Sequence, residues 1–248
     1  MTEIYSNDSL KIIQDKNNKT MFKIEFNYPC PALIRSLTKT HIIKSGTVTD
    51  DYSTLRFKSL SVKPFHQFIE EQNKIRGRKS LSINLAANML ANLSHQLSHL
   101  IKSETKTIIG YAPENIIVIN DKTFAFLDSE LVADIDPVGK EMATISCPFK
   151  VTDFFASPEI LKIKELPSHV HYKTSYFSLG CLLLYALTEG KEDFYNEHLK
   201  EIKCEKNHEY LTGSSFALNQ LHFKNTKLYW LLSRCLVKEP EKRSILFI

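Results

Sequence analysis

Glycine is scarce in this chain. There are 248 residues and only seven glycines, with none before Gly46. Backbone amides approach phosphates closely only where glycines let them. A glycine-rich phosphate-covering loop is therefore excluded from everything ahead of Gly46. Long apolar runs are also missing. The longest nearly unbroken one, Phe177 to Leu187, has about 11 residues, too few to span a bilayer. The opening MTEIYSNDSL lacks the charged-then-apolar order of a secretory signal. No repeat or low-complexity stretch stands out.

Cysteines are few, scattered and odd in number: Cys30, Cys147, Cys181, Cys204 and Cys235. No CxxC or Cys/His spacing marks a zinc site. This pattern fits a reducing, intracellular setting, with the cytoplasm expected. Net charge is +4 and its lysines and arginines run along the whole chain. A nucleic-acid footprint is more concentrated, so neither nucleic acid nor a membrane is expected as a partner. The one local excess, Lys11, Lys16, Lys19 and Lys23, alternates with apolar residues and reads as the solvated face of strands.

What is present is enough for a core. Hydrophobic residues make up 43% and charged residues 24%, which argues against disorder at this length. The first third reads as β-rich. Leu10–Ile13 and Met21–Phe26 flank a polar turn, a short helix follows over Pro31–Thr40, and His41–Val48 and Ser53–Phe57 suggest two more strands. Over Leu81–Lys102, Ile83, Ala86, Leu90, Leu93, Leu97 and Leu100 recur at spacings of 3 and 4. That periodicity predicts an amphipathic helix, capped by Ser80 or Ser82. Ile116–Ile119 and Thr123–Leu127 flank Asn120-Asp121-Lys122 as a second hairpin. The rest reads as mostly helical, and Phe177–Leu187, apolar on nearly every side, reads as a central buried helix. His95 and His99 read as a helix-surface pair, and His169 and His171 as part of a loop near Pro167.

Several short strings then fall in one order. Pro113-Glu114-Asn115-Ile116 opens the second hairpin and Leu127-Asp128 closes it. Ser157-Pro158-Glu159-Ile160-Leu161 follows, then Tyr176-Phe177-Ser178-Leu179-Gly180-Cys181, then Cys235-Leu236, Glu239-Pro240 and Arg243. From about Ser59 to Arg243 this series resembles the large lobe of a eukaryotic-type protein kinase. The resemblance implies an α+β, kinase-like fold: a reduced β-rich amino-terminal lobe (1–57), short of strands, and a mainly helical carboxy-terminal lobe (58–248) whose usual last helix is clipped. It makes Asn115 and Asp128 the candidate Mg²⁺ ligands at a nucleotide. It makes Lys23 the candidate strand lysine for phosphate, and Glu159 and Arg243 a structural ion pair.

The departures from the family pattern bear on function. Gly110 stands where the family's catalytic Asp is expected, and Ala112 where a phosphate-binding Lys is expected. Glycine has no carboxylate to accept a proton, so no catalytic residue is assigned. Asp128-Ser129-Glu130 keeps only the acid of the metal-binding triplet, and no Asp or Glu lies between Phe26 and Thr49 to pair with Lys23. ATP and Mg²⁺ are therefore not expected to be held in the family's usual way. Thr152 reads as ancestry, and Thr144, Ser146 and Ser157 as ordinary loop hydroxyls, with phosphorylation by another kinase as the alternative. The expected role is that of a pseudokinase: a scaffold or allosteric regulator for a protein partner, such as an active kinase, a kinase substrate or a larger assembly. Two alternatives stay open. One is a divergent transferase recruiting Glu114, Asp121 or Glu130. The other is a nucleotide sensor without catalysis.

Overall fold

The computed structural model describes residues 2–77, 80–136, 141–188 and 225–245. Over these residues the chain is a mixed α+β protein with three antiparallel sheets and five α-helices. The first sheet takes β1 (Thr2–Ser6), β2 (Leu10–Gln14), β3 (Met21–Phe26), β4 (Thr47–Val48) and β5 (Thr54–Lys58), in the order β1-β2-β3-β5-β4. Alternation decides its faces. Leu10 and Ile12 lie opposite Phe26 and Ile24, and all four are buried on one side. Between β3 and β4 runs α1 (Pro31–Lys39). Proline suits its first turn because the N–H it lacks would have had no helical partner.

The expected shortage of strands in this region is not found. Five strands and a helix fit because β4 is only two residues long and the turns are tight. The strand expected over His41–Val48 shrinks to Thr47–Val48, since His41 and Ser45 take positive φ and Ile42 and Ile43 turn into the core.

The second sheet, β6 (Val62–Pro64), β8 (Ile116–Ile119) and β9 (Thr123–Phe126), carries the predicted hairpin. Asn120 and Asp121 both have positive φ at its tip, as a tight hairpin turn needs. α2 (Phe65–Arg76) and α3 (Ile83–Glu104) pack against it, α4 (Thr174–Leu187) packs on α3, and α5 (Lys227–Cys235) packs on α4. Ser82 rather than Ser80 caps α3, its side chain accepting from Leu85 N at 3.3 Å. Ala86, Leu90, Leu93, Leu97 and Leu100 are buried, while Ile83 stays half exposed at the helix start. In α4, Phe177 to Leu184 are all buried. Gly180 lets α5 approach, since a β-carbon there would lie 2.9 Å from Cys235 Cβ.

The expectation of a mostly helical remainder needs correction. A third sheet is built from β7 (Lys106–Ile108), β10 (Val132–Ile135), β11 (Met142–Ile145) and β12 (Ser168–His171), in the order β12-β11-β10-β7. His169 and His171 therefore sit in a strand and not in a loop. Strands of three or four residues leave too short a period to read from sequence. Cys204 lies outside the described residues. No helix among the described residues is long and apolar enough to cross a membrane.

Candidate functional site

The hairpin brings its two ends together. Pro113–Asn115 forms a single 3₁₀ turn, and Asn115 N donates to Ala112 O at 3.0 Å. Ile116 pairs with Phe126, and Leu127 N returns to Asn115 O at 3.0 Å. Asn115 and Asp128, 13 residues apart in sequence, thus become neighbours. They face each other directly: Asn115 Nδ2 donates to Asp128 Oδ2 at 2.6 Å. The other oxygen, Oδ1, accepts from Glu130 N at 2.9 Å and from Ser9 Oγ at 3.4 Å. Both carboxylate oxygens are already bonded within the protein. Asp128 is buried, and that desolvation pushes its carboxyl above the ordinary carboxylate range, with Glu130 and Glu114 adding to the rise and the bonds from Glu130 N and Ser9 opposing it.

Ser9 belongs to the turn between β1 and β2, which folds down over the acid. Asn7 Oδ1 accepts from Ser9 N at 3.0 Å and Leu10 N at 2.9 Å, making the turn compact. Tyr5 ties it to the hairpin by donating to Glu114 O at 3.0 Å. Behind this turn the sheet packs directly on the hairpin. Ile12, Phe22 and Ile24 from the sheet, Ile34 and Leu37 from α1, and Ile117, Ile119, Ala125 and Leu127 from the hairpin region form one buried cluster. The space between sheet and hairpin is filled with side chains.

Two further contacts fix α1. Arg35 makes a two-pronged pair with Glu104 of α3, at 2.8 and 2.6 Å, which holds Glu104 below its ordinary range. Buried Gln96 of α3 donates to Ser36 Oγ at 3.1 Å and to Phe126 O at 2.9 Å, and accepts from Phe126 N at 3.0 Å. One amide thereby joins α1, α3 and β9.

Gly110 is buried beside Val151. A β-carbon at Gly110 would lie 2.6 Å from Val151 Cγ2, and its three nearest atoms all belong to Val151. Glu114 and Glu130 are exposed, and Asp121 is tied to Lys63 at 2.9 Å at the hairpin's far tip. Lys23 is not brought to Asn115 and Asp128. It lies on the face of β3 opposite Phe22 and Ile24 and pairs with Glu25.

Glu159 and Arg243 do meet, 84 residues apart, in a two-pronged ion pair. Arg243 is 1% exposed, lies 5.0 Å from the Phe177 ring centre, and also donates to the carbonyls of Val237, Lys238 and Lys173. Ser157 is buried and bonded to Thr174 Oγ1 at 2.5 Å, which argues against the modification alternative at that position. Thr144 lies 3.2 Å from His169 Nδ1, and Ser146 and Thr152 are exposed. His95 points to solvent and His99 lies 3.7 Å from Glu104. Among the described residues no group of three or more His, Cys, Asp or Glu could hold a metal ion.

Sequence reading missed Ser9, Tyr5, Gln96 and Val151. Only the Asn7-Asp8-Ser9 turn chemistry carried a local signal, and that signal does not say what the turn covers. No protein-family model and no curated protein matches the chain.

Proposed function

We propose that this chain is a pseudokinase: a protein-kinase-like architecture without phosphotransferase chemistry, serving as a scaffold or allosteric regulator for a protein partner. The element order supports the architecture. Six strands, with one helix after the third and a second after the sixth, precede a long helix, a hairpin bearing Asn115 and Asp128, a buried helix and the Glu159–Arg243 pair.

One observation carries the loss of chemistry. The carboxylate that the resemblance would assign to metal, Asp128, is bonded by Asn115, Glu130 N and Ser9, and the hairpin behind it is covered by the sheet. A metal ion would have to break those bonds, and a nucleotide would have to displace packed apolar side chains. Val151 over Gly110 leaves no room for a proton acceptor at that position. A binding platform, by contrast, needs a rigid body and no acid. The Gln96 and Arg35 contacts that join α1 to α3 supply that rigidity.

Melting the protein with millimolar ATP, with and without Mg²⁺ or Mn²⁺, tests this reading. A ligand at about ten times its Kd stabilises by about 1.4 kcal/mol, roughly 3–6 °C for a chain of this size. No rise is expected, and labelled ATP should transfer no phosphoryl group to generic substrates. Transfer that disappears in Asp128→Ala would overturn the proposal. A metal-dependent rise without transfer would replace the scaffold with a nucleotide sensor.

A further inference from the structure

The outer face of the first sheet carries charges that the fold does not balance. Alternation turns Lys11 and Ile13 of β2, Met21 and Lys23 of β3, and Arg56 and Lys58 of β5 away from the core. Register sets Lys23 directly opposite Arg56, and Met21 opposite Lys58. Like charges in directly opposed cross-strand positions are destabilising. Glu25, turned the same way on β3, pairs with Lys23 and stands directly opposite Lys11, but among the described residues Arg56 and Lys58 have no ion-pair partner.

An open pocket of about 170 Å³ lies between the opposed cations, lined by Ile13, Asp15, Met21, Phe22, Lys23 and Arg56. The Asp15 carboxylate is turned toward the backbone amides of Asn17 and Asn18, at 2.7 and 3.2 Å. Glu3 of β1 lies at the edge of the same row, opposite Ile13.

We infer that this face docks an acidic segment of a partner protein, seating a carboxylate on the unpaired Arg56, beside the Lys23–Glu25 pair, and an apolar side chain on Ile13 and Met21. Charge complementarity selects the occupant. Two cations flanking apolar side chains suit a chain that alternates acidic and apolar residues. No aromatic ring in an outward position of β2, β3 or β5 offers a stacking platform for nucleic-acid bases. The inference names the partner chemistry of the scaffold proposed above and rests on that reading. Its test reads peptide binding and not nucleotide binding, so each proposal fails separately.

The probe is a fluorescein-labelled peptide of alternating Glu and Leu, followed by fluorescence anisotropy on the full chain. A Gln-for-Glu peptide and phosphatidylserine vesicles serve as comparison arms. Binding that weakens with added salt is expected. Arg56→Glu should weaken it by about tenfold or more, and Arg56→Gln by less. Lys102→Glu, the same charge change at an exposed position on α3, should leave it unchanged. Arg56→Glu should melt no lower than the parent, because it removes the opposed like charges. Equal binding of the Glu and Gln peptides would overturn the inference. So would an unchanged affinity in both Arg56 variants, or vesicle binding without peptide binding.

Discussion

Arg243→Ala should cost this protein a large part of its stability. Arg243 is 1% exposed and satisfies two Glu159 oxygens and three backbone carbonyls. Truncation leaves Glu159 without its partner, three carbonyls without this donor, and a void against the Phe177 ring. Removing one partner of a buried pair costs about 3–5 kcal/mol, against a total stability of about 5–15 kcal/mol for folded proteins. At roughly 2–4 °C per kcal/mol, the melting temperature should fall by roughly 6–20 °C. Urea unfolding followed by circular dichroism measures the loss directly. Arg243→Lys keeps the charge but not the planar fork and should fall between Ala and the parent. An Arg243→Ala protein that unfolds at the parent's urea midpoint would refute the reasoning, because it would mean that the fork carries no net stability.

Two other outcomes follow from the same geometry. Gly110→Asp should destabilise and confer no phosphoryl transfer, since its β-carbon meets Val151 at 2.6 Å; adding Val151→Ala should restore much of the melting temperature. Asp128→Asn removes the titration but sets an amide NH₂ against Asn115 Nδ2 or Glu130 N, both of which donate to the carboxylate, so the informative quantity is its stability relative to the parent as pH changes. Burial raises the Asp128 carboxyl in the folded state, so its contribution is fully present below the unfolded value, about 3.9, and is lost as pH rises through the folded value. Unfolding free energies measured from pH 3 upward should show the Asn variant gaining on the parent across that window; a constant or shrinking difference would count against the raised carboxyl.

Much of the architecture was written in local periodicity. The spacing of Ala86, Leu90, Leu93 and Leu97 was enough to find α3, and unbroken apolarity was enough to find α4, because a helical face is set by residues three and four apart. The Asn120-Asp121 turn placed the hairpin, and with it the meeting of Asn115 and Asp128. Most of the third sheet was not legible beyond the short buried strand at Thr107-Ile108, since strands such as Val132–Ile135 and Met142–Ile145 show no more than one or two alternations.

What the sequence determined, then, was the set of long elements and the spacing of the ion pair. The tertiary structure decided what those residues touch. Ser9 reaches Asp128 across 119 positions, and Gln96 reaches Ser36 across 60. Lys23 turns outward because Phe22 and Ile24 claim the core side of β3. The physical reason is that periodicity is fixed by near neighbours, whereas the closing of a carboxylate or the filling of a cleft depends on which distant surfaces pack together.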